Sequence, residues 1–352
     1  MKVNRNELLS CLKHLMVAVE NRSIFVEYQA FHFYGTRVQA SDGSIWIDAP
    51  LPEGLELNLS VTAAPFFALL NKMSGEEVEL ELKDNKIKLS DHASFGDFVI
   101  AEPKVQTLPE LPEETATYNK VELIEGLEFC RHGVSKDENT GTLTGVAVKD
   151  NVVWGCDRFR ILKWDLGFNT GIEVSLPKQV VAFLYPNRGE VENLCFRPGN
   201  NFGGQFGAKL KNGTLLWATT IEGEYKDLSG FFPDSTNVEK IQLGETFPNI
   251  LARHMTILSD VSANDKEVQF FVGQESVRTV SRMFSVAGEE MRSLEEETPL
   301  KASRSGPDIT FTVNPNLLSD VLGFCWEFSY FADSAIVLFE GDKFRYLVKA
   351  RS

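Results

Sequence analysis

Three times along the chain, a segment of helical period carries a basic residue followed directly by histidine: Lys13-His14, Arg131-His132 and Arg253-His254. The intervals are 118 and 122 residues, and three of the five histidines sit at this one position. Self-similarity at a long fixed period restricts a chain to repeated units of one design. The helical segments themselves begin near Asn6, Thr62, Lys120, Pro177, Thr246 and Pro315, which makes three pairs. Leu8, Leu12, Leu15, Met16 and Val19 form one apolar stripe, and Phe247, Ile250, Leu251, Met255 and Leu258 form another. Pro177 and Pro315 fall at two of the starts, just inside the first turn, where the missing N–H costs nothing.

Between the helices, apolar and polar residues alternate with period two, as half-buried antiparallel strands require. Residues 78–89 read as two strands around Lys83-Asp84-Asn85, residues 146–154 repeat the device around Lys149-Asp150-Asn151, and residues 210–216 do so around Lys211-Asn212-Gly213. Asp, Asn and Gly tolerate the backbone of tight hairpin turns. Residues 103–114 are rich in Pro and Glu, and Phe232-Pro233-Asp234-Ser235 follows the second repeat, so both read as linkers. The expected fold is α+β: three repeated domains, 1–115, 116–236 and 237–352, each of antiparallel sheets plus two helices.

The 352 residues are 43% hydrophobic and 24% charged, as in a folded soluble protein, with a formal net charge of −15. So acidic a chain does not bind nucleic acid through its average surface, because phosphate repels it. A local basic lining is still compatible with that total. If the three domains pack in a ring with their helices inward, Lys13, Arg131 and Arg253 line the hole and hold duplex DNA by phosphate contacts, without sequence preference. The competing readings of the histidine repeat are solvated helix faces and a metal site. The metal site fails because each histidine belongs to a different domain and no HExxH or carboxylate stands at ligand spacing.

Other chemistry finds no residues to carry it. Gly203, Gly204 and Gly207 lie within a hairpin and not between a strand and a helix, so no dinucleotide site follows. No GxxxxGK[ST], GxSxG or ordered Ser/His/Asp set occurs. Catalytic residues, metal and cofactor are therefore all expected to be absent. The five cysteines are odd in number and lack any CxxC, which argues against a disulfide framework. The longest apolar runs, such as residues 335–339, are far below the ~18 residues of a membrane span. Lys13 and His14 interrupt what would be a signal-peptide core. A cytoplasmic chain with no membrane partner is expected.

The sequence resembles the bacterial sliding clamp, the beta subunit of DNA polymerase III. The resemblance rests on Glu7-Leu8-Leu9 through Ala18-Val19-Glu20-Asn21-Arg22-Ser23, then Phe129-Cys130 through Asp137-Glu138 and Leu143-Thr144-Gly145-Val146. It continues through Cys156-Asp157-Arg158-Phe159-Arg160-Ile161, Val174-Ser175-Leu176-Pro177-Lys178 and Ile221-Glu222-Gly223-Glu224-Tyr225 to Phe232-Pro233. It closes with Val313-Asn314-Pro315-Asn316-Leu317-Leu318 and Tyr346-Leu347-Val348. Each segment alone is weak, but their order and spacing along the whole chain are specific.

The resemblance implies a head-to-tail homodimer, a ring with helices inside around duplex DNA, loaded by a clamp loader and tethering a replicative DNA polymerase and other partners by short peptides. It implies DNA contacts at Lys13, Arg22, Lys72, Lys120, Arg131, Lys178 and Arg253. It places a partner-peptide pocket at Leu143, Cys156, Arg158, Phe159, Arg160, Ile161, Lys226, Gly230, Phe231, Leu347 and Lys349. It places the dimer joint at Phe98 and Ile100 on one end of the chain and Ile257 and Leu258 on the other. The sequence also departs from the family: Thr-Asp-Gly before the pocket turn is Cys156-Asp157-Arg158, the usual proline is Lys226, and the C-terminal methionine position is Lys349. These departures equally fit a clamp-like paralogue borne by a phage or mobile element with altered partners. A β-rich cytosolic binding protein would explain the hairpins and the 26 phenylalanines, but not three basic-His helices in register.

Overall fold

The computed structural model describes residues 1–111, 119–197, 204–285 and 288–351. The expected first domain boundary, at 115/116, and Gly203 lie outside these residues. Six helices start within one residue of their expected places: α1 (Arg5–Leu15), α2 (Ala63–Lys72), α3 (Lys120–Arg131), α4 (Lys178–Leu184), α5 (Phe247–Ile257) and α6 (Pro315–Ser319). The element order repeats along the chain. A short strand, α1, four strands, α2 and three strands make up the first third; a short strand, α5, four strands, α6 and three strands make up the last. In the middle third, α3, four strands, α4 and three strands follow the same order. The fold is α+β.

Two compact units emerge from the packing: residues 1–128, 144–150 and 168–224 in one, and 129–143, 151–167 and 225–352 in the other. The first holds an eleven-stranded antiparallel sheet running from strand Lys2–Asn4 at one edge to strand Val191–Arg197 at the other. The second holds a four-stranded sheet with Glu290–Pro299 at one edge and Ile309–Val313 at the other. It also holds a run in which Val152–Cys156, Arg160–Asp165, Phe344–Lys349, Ile336–Glu340, Glu327–Phe331 and Lys240–Gln242 pair in that order.

Local chemistry accounts for these elements. The Asn4 side chain accepts from the N–H groups of Asn6 and Glu7, which caps α1. Leu8, Leu12 and Leu15 are then buried along one side of α1. The turns between strands bend as expected: Asp84, Asn85 and Asp150 have φ of 47°, 61° and 52°, and Gly213 has φ of 83°. Pro315 opens α6. Pro177 instead ends strand Glu173–Pro177 and caps α4 from outside. Its fixed φ suits an extended residue as well as a first turn. Pro248, not singled out from the sequence, occupies the first turn of α5.

The end of α3 seats tightly on strand Val152–Cys156. A Cβ at Gly155 would stand 1.9 Å from the carbonyl oxygen of Cys130, so only glycine permits that approach. Beside it, Phe129 meets Trp164, Phe324 and Phe344 with ring centroids 5.3, 5.3 and 4.9 Å away. This aromatic cluster anchors the helix in the core of the second unit.

Candidate nucleic-acid interface and partner cleft

The basic-His repeat has a packing reason. Successive helix residues are rotated by about 100°, so a histidine at the margin of the buried stripe leaves the preceding residue toward water. His254 is fully buried on α5, its Nδ1 2.8 Å from Ser281 Oγ and its Nε2 2.8 Å from Thr279 Oγ1. Burial lowers its pKa, which favours the neutral ring that those two hydroxyls hold. His14 lies edge-on to Phe183 with centroids 6.1 Å apart, and burial lowers its pKa as well. His132 Nδ1 stands 3.5 Å from Asp320 Oδ1.

The cations that precede these histidines differ in their freedom. Lys13, with Arg22, Lys72 and Lys178, is exposed. Arg253 is exposed but forked onto Glu296, with N···O distances of 2.6 to 3.1 Å, so part of its charge is already neutralised. Arg131 is half-buried. Lys120 is half-buried and donates to the Glu192 carbonyl at 2.6 Å.

The residues expected to form a partner pocket divide into two groups. Arg158, Phe159, Arg160 and Lys349 line a cleft of about 750 Å³ in the second unit. Its apolar part comes from Val134, Val313, Leu317 and the Phe159 ring, which is 42% exposed. Asp157 shapes the rim: its Oδ1 accepts from the N–H groups of Phe159 and Arg160 at 2.8 and 2.9 Å, fixing the turn that presents Phe159. The Lys349 N–H donates to the Phe159 carbonyl at 2.8 Å, which ties the C-terminal strand to that turn.

The remaining expected residues do not line this cleft. Cys156, Ile161 and Leu347 are buried and stand side by side across three paired strands. Burial pushes the Cys156 thiol up to about 11, so it is a packing group and not a nucleophile. Leu143 is half-buried, while Lys226, Gly230 and Phe231 are exposed.

Arg160 lines the cleft but is largely buried in its wall. Only 11% of its side chain is exposed. Its Nε lies 3.1 Å from Asp157 Oδ2, while its Nη1 donates to Asp320 and to the Tyr346 hydroxyl, the latter at 2.9 Å. That hydroxyl in turn donates to the Leu317 carbonyl at 2.6 Å. Arg160 is thus a structural post in the cleft wall, with its Nε and Nη1 engaged inside the protein.

The strand that carries the expected joint residues follows the same alternation as any other. In Phe95–Ala101, Phe98 and Ile100 are turned inward and half-buried, with the Phe98 ring edge-on to Phe66 at 5.2 Å. Phe95 and Val99 point out, 68% and 69% exposed. At the end of α5, Ile257 is half-buried, but Leu258 is 1% exposed and belongs to the core. A residue so deeply packed cannot reach a partner without the helix end opening, so Leu258 is removed from the candidate joint.

Over its full length the chain aligns with solved bacterial clamps. The DNA polymerase III beta subunit of Thermotoga maritima matches with a TM-score of 0.74 and 17% identity, covering 100% of this chain and 98% of that one. The beta subunit of Streptococcus pyogenes matches at 0.73 and 16%, covering 100% and 99%. The Helicobacter pylori beta clamp, solved bound to a DNA ligase peptide, matches at 0.69 and 14%, covering 100% and 99%. The chain has the sliding-clamp fold. No protein-family model and no curated protein matches the sequence, so the clamp fold is carried here by a pattern of elements more than by identical residues.

Several residues of the clamp-fold cleft were not singled out from the sequence: Lys136, Lys266, Glu267, Asn314, Asn316 and Arg351. Asn314 and Asn316 donate to the Ala263 carbonyl at 2.7 and 3.1 Å and so join two walls. A sequence signal existed for Asn314 alone, as the cap before Pro315. The lysines sit in separate loops with nothing in their neighbourhoods to mark them.

Proposed function

We propose that this protein is a DNA sliding clamp. Two copies close head-to-tail into a ring of six domains, 1–115, 116–236 and 237–352 in each chain, with the helices facing the duplex. The observation that carries this reading is the full-length likeness to clamps, covering 98% or more of each of the chains compared, together with the threefold element order. A clamp transforms no substrate, so its cations need only face phosphate. Lys13, Arg22, Lys72 and Lys178, all exposed, suit that task, with Lys120, Arg131 and Arg253 beside them. Their pull on DNA is weak and salt-sensitive, and a net charge of −15 opposes it at long range. Retention then comes from closure of the ring, put on by a clamp loader in the cytoplasm.

The cleft around Phe159 is the tethering site in this reading, taking short peptides from a replicative polymerase and other partners. The peptide-bound Helicobacter clamp supports it, as does an exposed aromatic on an apolar floor, the kind of anchor that dominates small interfaces. Phe231, 61% exposed, is a second anchor outside the cleft walls. The joint pairs Phe95 and Val99, flanked by Phe98 and Ile100, with Ile257 of the second copy. A head-to-tail contact closes only if both patches are used. Light scattering tests the assembly: a mass of twice 39.4 kDa is expected at micromolar concentration. A monomer at that concentration would refute the closed dimer.

A further inference from the structure

The cleft has a charge balance unlike that of the chain around it. Six cationic and three acidic side chains line it, in a protein whose total is −15. Each acid is already matched to an arginine. Asp137 pairs with Arg158 at 2.5 Å, Asp157 pairs with Arg160 at 3.1 Å, and Glu267 pairs with Arg351. That leaves Lys136 and Lys349, both exposed, and Lys266, half-buried, with no carboxylate partner among the described residues. The Lys349 ammonium reaches only the Ser334 carbonyl. Three lysines from three separate segments thus converge on one apolar floor with their charge unspent.

We propose that this cleft selects an acidic peptide: an apolar or aromatic residue seats against Phe159, Val313 and Leu317, and carboxylates flanking it meet Lys136, Lys266 and Lys349. The inference rests on the clamp reading of the cleft and adds the chemistry of its partner. A nucleic-acid strand is the other polyanion such a site can attract. It fits less well, because Asp137, Asp157 and Glu267 stand along the same walls and Phe159 is the one aromatic ring there, where strand binding uses successive stacking platforms. In an otherwise acidic molecule, an isolated cationic cleft also steers acidic segments to one place.

The test uses the full-length protein and fluorescent synthetic peptides with one apolar-aromatic end, followed by either three glutamates or three glutamines. Fluorescence anisotropy reads binding at low and at physiological salt, with an oligothymidine of similar length as a third probe. An exposed ion pair contributes little singly, so three together should make the glutamate peptide bind about 10-fold tighter at low salt. The advantage should shrink as salt rises. Lys136→Gln, Lys266→Gln and Lys349→Gln together should abolish the difference between the two peptides, and Phe159→Ala should weaken both peptides. Equal affinity for the two peptides overturns the acidic preference and leaves the tethering site standing. No binding of either peptide overturns both. Oligothymidine binding that the three lysine substitutions remove, with the peptides unbound, assigns the cleft to nucleic acid and overturns the proposal.

Discussion

Replacing Arg160 by methionine keeps most of the side-chain volume and removes the charge that holds Asp157, Asp320 and Tyr346 together behind the cleft. The Asp157 and Asp320 side chains are 16% and 27% exposed, so neither can recover full hydration when the guanidinium goes. Asp320 keeps His132, and the Tyr346 hydroxyl keeps the Leu317 carbonyl. Removing one partner of a fully buried pair costs about 3–5 kcal/mol, and the partial exposure here reduces that to about 2–4 kcal/mol. Urea denaturation followed by tryptophan fluorescence reads this directly, because Trp164 lies in the adjoining aromatic cluster. With a slope of up to about 3 kcal/mol/M, the midpoint should fall by about 1 M. The deficit should also depend on pH. Burial acts to raise the Asp320 pKa, but hydrogen bonds from His132 and Arg160 and the Arg160 charge outweigh it and hold the carboxyl below its ordinary value. A depressed carboxyl stabilises the fold above its unfolded value of about 3.9 and loses that contribution as pH falls through its native value. The wild type and the variant should therefore converge in acid. A loss under about 1 kcal/mol at neutral pH, or a deficit unchanged in acid, would refute the structural role of Arg160.

Gly155→Ala should force the α3 end off its strand, costing about 2–3 kcal/mol, and calorimetry should show a Tm at least about 5 °C lower; an unchanged Tm would contradict the close approach. Ile257→Asp should yield a folded monomer by light scattering and circular dichroism, whereas Leu258→Asp should fail to fold, because one residue is only half-buried and the other lies in the core. Lys13→Glu, Lys72→Glu and Lys178→Glu together should leave the melting temperature within a degree or two, since exposed charges contribute little, yet abolish stable loading on circular DNA. Retained loading would move the DNA-facing surface elsewhere.

Much of the fold was legible because it is written in period and punctuation. Helix starts follow from caps and apolar stripes that depend on neighbours a few residues away, and the hairpin turns follow from Asp, Asn and Gly at positions that bend left-handed. The repeat of histidines pointed to the helices, with His132 falling just past the end of α3, although its cause is packing: His254 is a buried core group and Arg253 is tied to Glu296. Burial depth was not legible. Ile257 and Leu258 are adjacent and both apolar, and only the packing of the α5 end leaves one half-buried and the other in the core. Phe98 and Ile100 were placed by resemblance, while the pleat of their own strand gives the outer face to Phe95 and Val99. Arg160 and Lys349 look alike as cations near a turn. Asp320, 160 residues away in sequence, pairs with one of them, while the other reaches only a backbone carbonyl. Such pairings depend on which loops meet, which no local pattern records.

A clamp holds DNA by topology, and one measurement tests that directly. The protein is loaded on nicked circular DNA with a cognate clamp loader, free protein is removed by gel filtration, and half of the sample is linearised with a restriction enzyme before a second filtration. A ring closed around the duplex stays with the circle and slides off the cut ends, so protein should co-elute with circular DNA and be lost from linear DNA. Equal retention on the two forms would mean that the protein holds DNA by surface contact, and would contradict the account.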